Sequence, residues 1–311
     1  MTVKKTTTSQ GGKTWLVVLL VLALIVTPLT INAFLVSSAT RPAAPRDGGT
    51  VIETAVVPAN VKVEGVGTPV VLIHGFGAAL DWWDTIAPAL ATERKVIRLD
   101  LIGHGGTEAP SSGYTIERQA ALVKGVLGKL GIERVAAIGH SMGGEVVAEL
   151  AAAHPGLIEK MVLIDTPPET ENAAKKPGML PIPLWDEFMW RFIGPEDFRK
   201  ALAQRFAPGF QVPDKFVADL EQLTYTAFTS AHGSDFKTAK PVFERLSALD
   251  RVPPLLVITG AQDPLVTPEK AKLYERVSGA KVATIEGAGH SPMVEKPVQT
   301  LQLIKEFLAQ P

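Results

Sequence analysis

A serine hemmed in by glycines, a histidine in a glycine-rich loop and an aspartate between them in chain order are the side chains best suited to nucleophilic chemistry. Gly139-His140-Ser141-Met142-Gly143-Gly144 follows the apolar run Val135 to Ile138 and opens a segment of helical periodicity, Met142 to His154. A serine on so sharp a strand-to-helix turn needs small neighbours at Gly139 and Gly143, because the strained backbone lifts its oxygen out of the sheet. The helix N-terminus beside it favours developing negative charge. A hydroxyl is a poor nucleophile until a base takes its proton. Gly287-Ala288-Gly289-His290-Ser291-Pro292, after the strand-like Lys281 to Ile285, offers that base. The base in turn needs a carboxylate to fix its tautomer and stabilise the imidazolium. Asp263, in Gly260-Ala261-Gln262-Asp263-Pro264, follows the strand-like Leu255 to Thr259 and precedes His290 with no intervening insertion. Asp165 ends the run Met161 to Ile164 on the same sheet edge and competes for that role.

Oxyanion stabilisation requires two preorganised donors, and removing one such donor typically costs about a hundred- to a thousandfold in rate. The loop His74-Gly75-Phe76-Gly77, after Val70 to Ile73, and the first turn after Ser141 supply candidates: the amides of Phe76 and Met142. His74 reads as a loop-shaping histidine rather than a catalytic one. His104, His140, His154 and His232 are structural candidates, and Asp100, after Val96 to Leu99, reads as a loop organiser beside His104.

These residues must be held by short apolar strands alternating with amphipathic helices, the pattern of crossover-linked parallel strands. An edge-like opening, Val51 to Val57, precedes the six runs named above, all of them apolar enough to demand cover on both faces. Helices are expected over Trp82 to Ala91, Ile116 to Leu130, Met142 to His154, Pro268 to Val277 and Pro297 to Leu308. Between Pro167 and Ser247 the rhythm breaks into a polar stretch, Glu169 to Lys176, a segment punctuated by Pro181 and Pro183, and aromatic-rich helical pieces. That segment reads as a mostly helical cap whose aromatics form its own core. The expected organisation is therefore a core over 50–166, a cap over 167–247 and the second part of the core over 248–311.

With 311 residues, 46% hydrophobic and 20% charged, the chain can bury a large core. A formal charge of -1 gives no global field toward nucleic acid, and the absence of cysteine removes disulfides, thiolate metal sites and a cysteine nucleophile. Residues 15–36 carry no charge and follow a basic stretch, 1–14, with Lys4, Lys5 and Lys13. At about 1.5 Å per residue such a helix spans the ~30 Å hydrocarbon core. A retained anchor and a cleaved secretory signal both fit, and both put the folded part outside the inner face of the membrane. The Pro/Ala/Gly-rich tract at 37–49 reads as a spacer too poor in apolar residues to pack.

His74-Gly75-Phe76-Gly77, Asp100-Leu101-Ile102-Gly103-His104-Gly105, Gly139 to Gly144, Gly260 to Asp263 and Gly289-His290 together resemble the capped α/β-hydrolase superfamily, over about Val51 to Leu308. The resemblance implies an α/β-hydrolase fold: a mostly parallel eight-stranded sheet flanked by helices, with a helical cap inserted after the sixth strand. It also implies a Ser141–Asp263–His290 triad and no metal or organic cofactor. Ile102 departs from relatives that often carry a polar residue there. Epoxide hydrolases and haloalkane dehalogenases, similar in fold, attack with an aspartate where this chain has Ser141. Carbon–carbon bond hydrolases commonly carry a tryptophan where it has Ser291. The expectation is a carboxylic ester hydrolase acting on a small molecule, with an apolar or lipid-like acyl group as the suggested substrate class. Cofactor-free perhydrolases, carbon–carbon hydrolases and a noncatalytic binding module remain as alternatives.

Overall fold

The computed structural model describes residues 10–169, 184–230 and 240–310, without the side chains of 10–14. Eight strands form one sheet, in the order β1-β2-β4-β3-β5-β6-β7-β8. They are β1 (Thr50–Ile52), β2 (Ala59–Glu64), β3 (Pro69–Ile73), β4 (Lys95–Leu99), β5 (Val135–His140), β6 (Ile158–Ile164), β7 (Leu255–Gly260) and β8 (Ala280–Ile285). The pairs β1–β2 and β2–β4 are antiparallel, and every later pairing is parallel. The Val, Leu, Ile and Ala side chains of β3, β5 and β7 are buried throughout, as helices on both faces of a parallel sheet require. The chain steps from β3 out to β4 and returns across β3 to β5. The loops after β3 and β5 therefore diverge at a crevice on the carboxyl edge of the sheet, the usual place for a ligand in such folds.

Three local features depart from the sequence reading. The opening Val51 to Val57 is not one strand: β1 ends at Ile52 and the chain returns as β2, in which Ala59 and Val61 are buried while Lys62 is not. Strand β8 is not covered on both faces. It is the sheet's last strand, with Lys281 and Thr284 exposed and only Ile285 fully buried. The helix expected over Trp82 to Ala91 breaks into a 3-10 turn, Leu80–Trp83, and α2 (Ala87–Ala91). Pro88 lies in the first turn of α2, where its missing N–H is harmless, but it cannot continue a helix from the preceding turn.

Helix α3 (Ile116–Lys129) is capped by Thr115, whose Oγ1 accepts the Arg118 amide at 3.3 Å. Helix α4 (Met142–Ala153) packs against α3 and buries Val146, Val147 and Leu150. Between β6 and β7 lie α5 (Trp185–Trp190), α6 (Pro195–Ala203), α7 (Asp214–Glu221), α8 (Tyr225–Ser230) and a further turn, Val242–Ser247. The aromatic residues of this insert largely pack on one another: Trp190 meets Tyr225 and Phe228 at 5.6 and 5.1 Å between ring centres, and Phe206 stacks on Phe210 at 4.7 Å. Trp82 of the core stacks on Phe216 of α7 at 4.0 Å, joining the two layers. Beyond Glu169, the expected polar stretch lies outside the described residues, as do Pro181, Pro183 and His232.

Helix α1 runs from Gln10 to Ser37, longer than the expected 15–36. Trp15–Ser37 has a mean hydropathy of 2.5 and is long and apolar enough to cross a membrane. Its last turns are docked on the insert. Ala33 and Val36 are buried, the Asn32 amide donates to the Glu187 carbonyl at 3.2 Å, and Arg191 Nε donates to Asn32 Oδ1. The following tract is not the free spacer expected at 37–49. Arg41 and Ala109 exchange two backbone hydrogen bonds of 2.9 and 2.8 Å, and Arg46 pairs with Asp219 at 2.6 Å. Backbone pairing and one ion pair hold a segment that apolar burial could not.

Candidate active site

Strand β5 delivers the chain to Ser141 and α4 carries it away, so Ser141 occupies the turn between them. Its φ of 50° and ψ of −118° lie where side chains are rarely tolerated, and the strain is held by surroundings that leave no alternative. The Ser141 amide donates to the Ile164 carbonyl at 2.8 Å, pinning the turn to β6. A Cβ on Gly143 would lie 2.2 Å from the Ile73 carbonyl oxygen, and one on Gly139 would lie 2.4 Å from that of Gly143. The glycines thus let α4 approach β3 and lift the hydroxyl.

The Ser141 hydroxyl lies 3.0 Å from His290 Nε2, and His290 Nδ1 lies 2.7 Å from Asp263 Oδ2. With Nδ1–H donating to Asp263, Nε2 is left to accept the serine proton. Asp263 Oδ1 accepts the Leu265 amide at 2.7 Å. Burial works against an ionised Asp263, but the hydrogen bond and charge of His290, with the neighbouring donors, hold its carboxyl below the usual carboxylate range. Asp165, the competing carboxylate, sits beside Asp263 rather than in its place. Its Oδ1 accepts from the Gly260 amide at 3.0 Å and Thr259 Oγ1 at 2.9 Å.

Met142 is the first residue of α4, so its amide has no carbonyl one turn earlier to receive it. Phe76 lies in the loop after β3, its half-buried ring edge-on to His104 at 5.9 Å. A Cβ on Gly75 would stand 3.1 Å from Ser141 Cβ, so this loop passes close over the nucleophile candidate. His74 is fully buried and satisfied as a neutral ring: Nδ1–H donates to the Gly75 carbonyl at 2.7 Å and Nε2 accepts the Leu101 amide at 3.0 Å. Burial pulls its pKa down to about 4. Asp100 accepts from the amides of Leu80 and Gly106 and from Asn60 Nδ2 at 2.7 to 2.8 Å, tying three loops together. Ile102, the apolar departure, is buried in the core.

Two supports escaped the sequence reading. His140 Nε2–H donates to the His290 carbonyl at 2.6 Å, fastening the base loop to the serine turn, while burial and then His290 bring the His140 pKa down to about 3. Glu295 lies in the short helix Pro292–Glu295 and accepts three amides: Ala207 at 2.7 Å, Gly289 at 2.9 Å and Ser291 at 3.0 Å. It grips both sides of His290 and reaches into the insert. An acidic residue in the turn after the histidine was its only local signal.

The chain matches the model of the alpha/beta hydrolase fold family over residues 68–297, and it belongs to that family. An uncharacterised protein of Mycobacterium tuberculosis is 26% identical over 274 residues, covering 79% of this chain and 77% of the relative. Among solved structures, the enol-lactonase from Burkholderia xenovorans LB400 superposes with a TM-score of 0.70 at 23% identity, over 84% of this chain and all of that one. A membrane phospholipase A described as a bacterial virulence factor superposes with a TM-score of 0.67 at 24% identity, over 96% of each chain. The family and the hydrolases among these neighbours support reading this protein as a hydrolase.

Proposed function

We propose that the protein hydrolyses carboxylic esters through an acyl-enzyme on Ser141. The observation that carries this reading is the unbroken hydrogen-bonded line from Ser141 Oγ through His290 to Asp263, at 3.0 and 2.7 Å, on a strained turn. In the first half-reaction His290 takes the serine proton as Oγ attacks the acyl carbon, Asp263 stabilises the imidazolium, and the amides of Phe76 and Met142 receive the oxyanion. His290 then returns the proton to the departing alcohol. In the second half-reaction His290 deprotonates a water, which displaces Ser141 and releases the acid.

In this reading the described parts of the insert, 184–230 and 240–247, act as the cap, and an apolar or lipid-like acyl group is the substrate class that the esters of increasing acyl length would test. The N-terminal helix is a retained anchor with the folded part on the extracytoplasmic side, rather than a signal cleaved to release a secreted enzyme. The contacts of Asn32 with α5 and the burial of Ala33 and Val36 support retention, because cleavage beyond them would discard a packed interface. The likeness to a membrane phospholipase A runs over nearly the whole chain and so takes in this helix.

The test is to incubate the full chain in detergent, wild type and Ser141→Ala, with a fluorophosphonate probe and p-nitrophenyl esters of increasing acyl length. Labelling and turnover that vanish in Ser141→Ala are expected. A folded wild type showing neither would overturn the ester reading.

A further inference from the structure

The reaction written above uses one of the two buried carboxyl groups beside His290 and leaves the other without a task. Asp165 directly follows β6, with a φ of 43°, in the left-handed region, and is fully buried. Its Oδ1 takes the Gly260 amide and faces the Thr259 hydroxyl. Its Oδ2 is buried with no N–H or hydroxyl to receive. Asp165, Asp263 and His290 each bring a nitrogen or oxygen within 4.8 Å of the others. A carboxylate oxygen with no donor, in a dry site beside a second carboxylate, is an expensive arrangement. The donors are divided unevenly: Asp263 receives His290 Nδ1–H and the Leu265 amide on its two oxygens. The one arrangement that satisfies every atom puts a proton on Asp165 Oδ2 and directs it at Asp263.

We propose that Asp165 is a positioning residue that works as a neutral acid, donating to Asp263 to hold that carboxylate toward His290, and that it is the reserve anion of the site when Asp263 is neutralised. The proposal rests on Ser141 and His290 acting as described above. Burial and then the adjacent Asp263 push the Asp165 carboxyl well above its usual range, in keeping with this division. The charged or titratable groups around the pair are His290, His140 and the buried Arg205, whose guanidinium acts on Asp263; no basic side chain bears on Asp165 itself among the described residues.

The reserve role follows from counting protons. In Asp263→Asn the new amide can turn either its oxygen or its NH2 toward His290 Nδ1, and the wrong choice forces the wrong tautomer. The analogous change in a serine protease triad costs about ten-thousandfold. Here Asp165, free to ionise once its anionic neighbour is gone, accepts from that NH2. The amide oxygen is thereby turned to His290, and the negative charge stays beside the imidazolium.

The experiment is a double-mutant cycle on the full chain with a p-nitrophenyl ester, joined to infrared difference spectra. Asp165→Leu, which removes the donor, is expected to lower kcat/KM about tenfold, and Asp165→Asn, whose amide can replace the neutral acid on both sides, to restore it to within about threefold; an Asp165→Leu enzyme equal to wild type would overturn the positioning role. Asp263→Asn is expected to lose about a hundredfold, and the double variant about ten-thousandfold. Wild type at pH 7 should show a protonated-carboxyl stretch that is absent in Asp165→Asn. Equal losses in Asp263→Asn with and without Asp165 would overturn the reserve role. A wild-type-minus-Asp165→Asn difference spectrum without that band would overturn the neutral acid; the carboxyls of Asp219 and Glu145, which burial pushes up to about 7, are common to both proteins and cancel in the difference. Both can be read separately from the ester reading, because the infrared band needs no turnover, and a wild type without Ser141-dependent turnover would instead sink the function itself.

Discussion

Replacing Glu295 should disturb the site through the loop it holds, because its carboxylate is taken up by backbone amides on both sides of His290. Its two carboxylate oxygens accept the amides of Ala207, Gly289 and Ser291 at 2.7, 2.9 and 3.0 Å, and the last two flank His290. A hydrogen bond to a charged group is worth about 1.5–3 kcal/mol, so the three bonds total roughly 5–9 kcal/mol before relaxation. Water reaching the part-buried loop recovers about half of that, leaving an expected loss of about 2–4.5 kcal/mol for Glu295→Ala. Against a total stability of about 5–15 kcal/mol that change could prevent folding, so Glu295→Gln is the informative variant. It keeps one accepting oxygen and turns an NH2 against an amide that also donates, for an expected loss of about 1.5–3 kcal/mol. The loosened loop misplaces His290, and a displacement near 1 Å costs up to about a hundredfold, so kcat should fall about ten- to a hundredfold with KM little changed. Urea unfolding gives the stability and steady-state turnover of a p-nitrophenyl ester gives the kinetics. A Glu295→Gln enzyme within about 0.5 kcal/mol of wild type and within about twofold in kcat would refute the idea that this carboxylate holds the base.

Three buried histidines should each contribute stability that is lost as pH drops below about 6.5. Burial lowers the pKa of His74 to about 4 and those of His104 and His140 to about 3, so the unfolded chain takes up protons from the ordinary histidine value of 6.5 downward while the folded one does not. For these three groups the sign is full stability above 6.5 and loss below it, by up to about 1.4 kcal/mol per pH unit for each histidine, opposed by the raised carboxyls of Asp165 and Asp219, which take up protons first in the folded state; a pH dependence of the urea midpoint between pH 7 and 5 that is unchanged in His104→Gln would contradict this. Gly143→Ala should lose more than about 2 kcal/mol and all probe labelling, since its Cβ would lie 2.2 Å from a backbone oxygen of β3. Gly128→Ala, within α3 with nothing near its Cβ, should gain about 0.5–1 kcal/mol in the same unfolding assay. Arg46→Ala removes the cation paired with Asp219, whose carboxyl burial pushes up to about 7. Its cost should be larger at pH 8.5 than at pH 6, where the carboxyl takes up a proton instead, and equal costs at the two pH values would refute the pairing's role.

What could be read from the sequence was local, and what could not was contact across long separations. The serine turn was legible because its steric demand falls on immediate neighbours: a strained φ at Ser141 selects Gly139 and Gly143 within a few residues. The parallel strands were legible because burial on both faces leaves continuous apolar runs such as Val70 to Ile73 and Leu255 to Thr259. Strand β2 was not, since Ala59–Glu64 mixes Ala and Val with Asn, Lys and Glu, and only its pairing with both β1 and β4 makes it a strand. The same holds for the docked tract after α1, which carries no apolar pattern and is held through Ala109 and Asp219.

Within the site the division is sharper. Ser141, Asp263 and His290 could each be nominated from the turn it occupies, and their order along the chain was enough to favour Asp263 over Asp165. The groups that make the arrangement exact lie elsewhere. His140 stands in the serine motif but acts on a carbonyl 150 residues away, and Glu295 joins its own loop to an amide 88 residues away, so neither role shows in the spacing of the motifs. Asp165 looked like an alternative to Asp263 because each aspartate follows a strand on one edge, and one dimension offers no way to put the two side by side. In three dimensions β6 and β7 are neighbours, and Ile164 pairs with Ile258. A carboxyl one residue past the first strand and one three residues past the second then meet behind the same histidine. Competition between two candidates in a sequence becomes cooperation when the sheet pairs their strands, and in this fold that turns a discarded triad acid into the residue with the most to test.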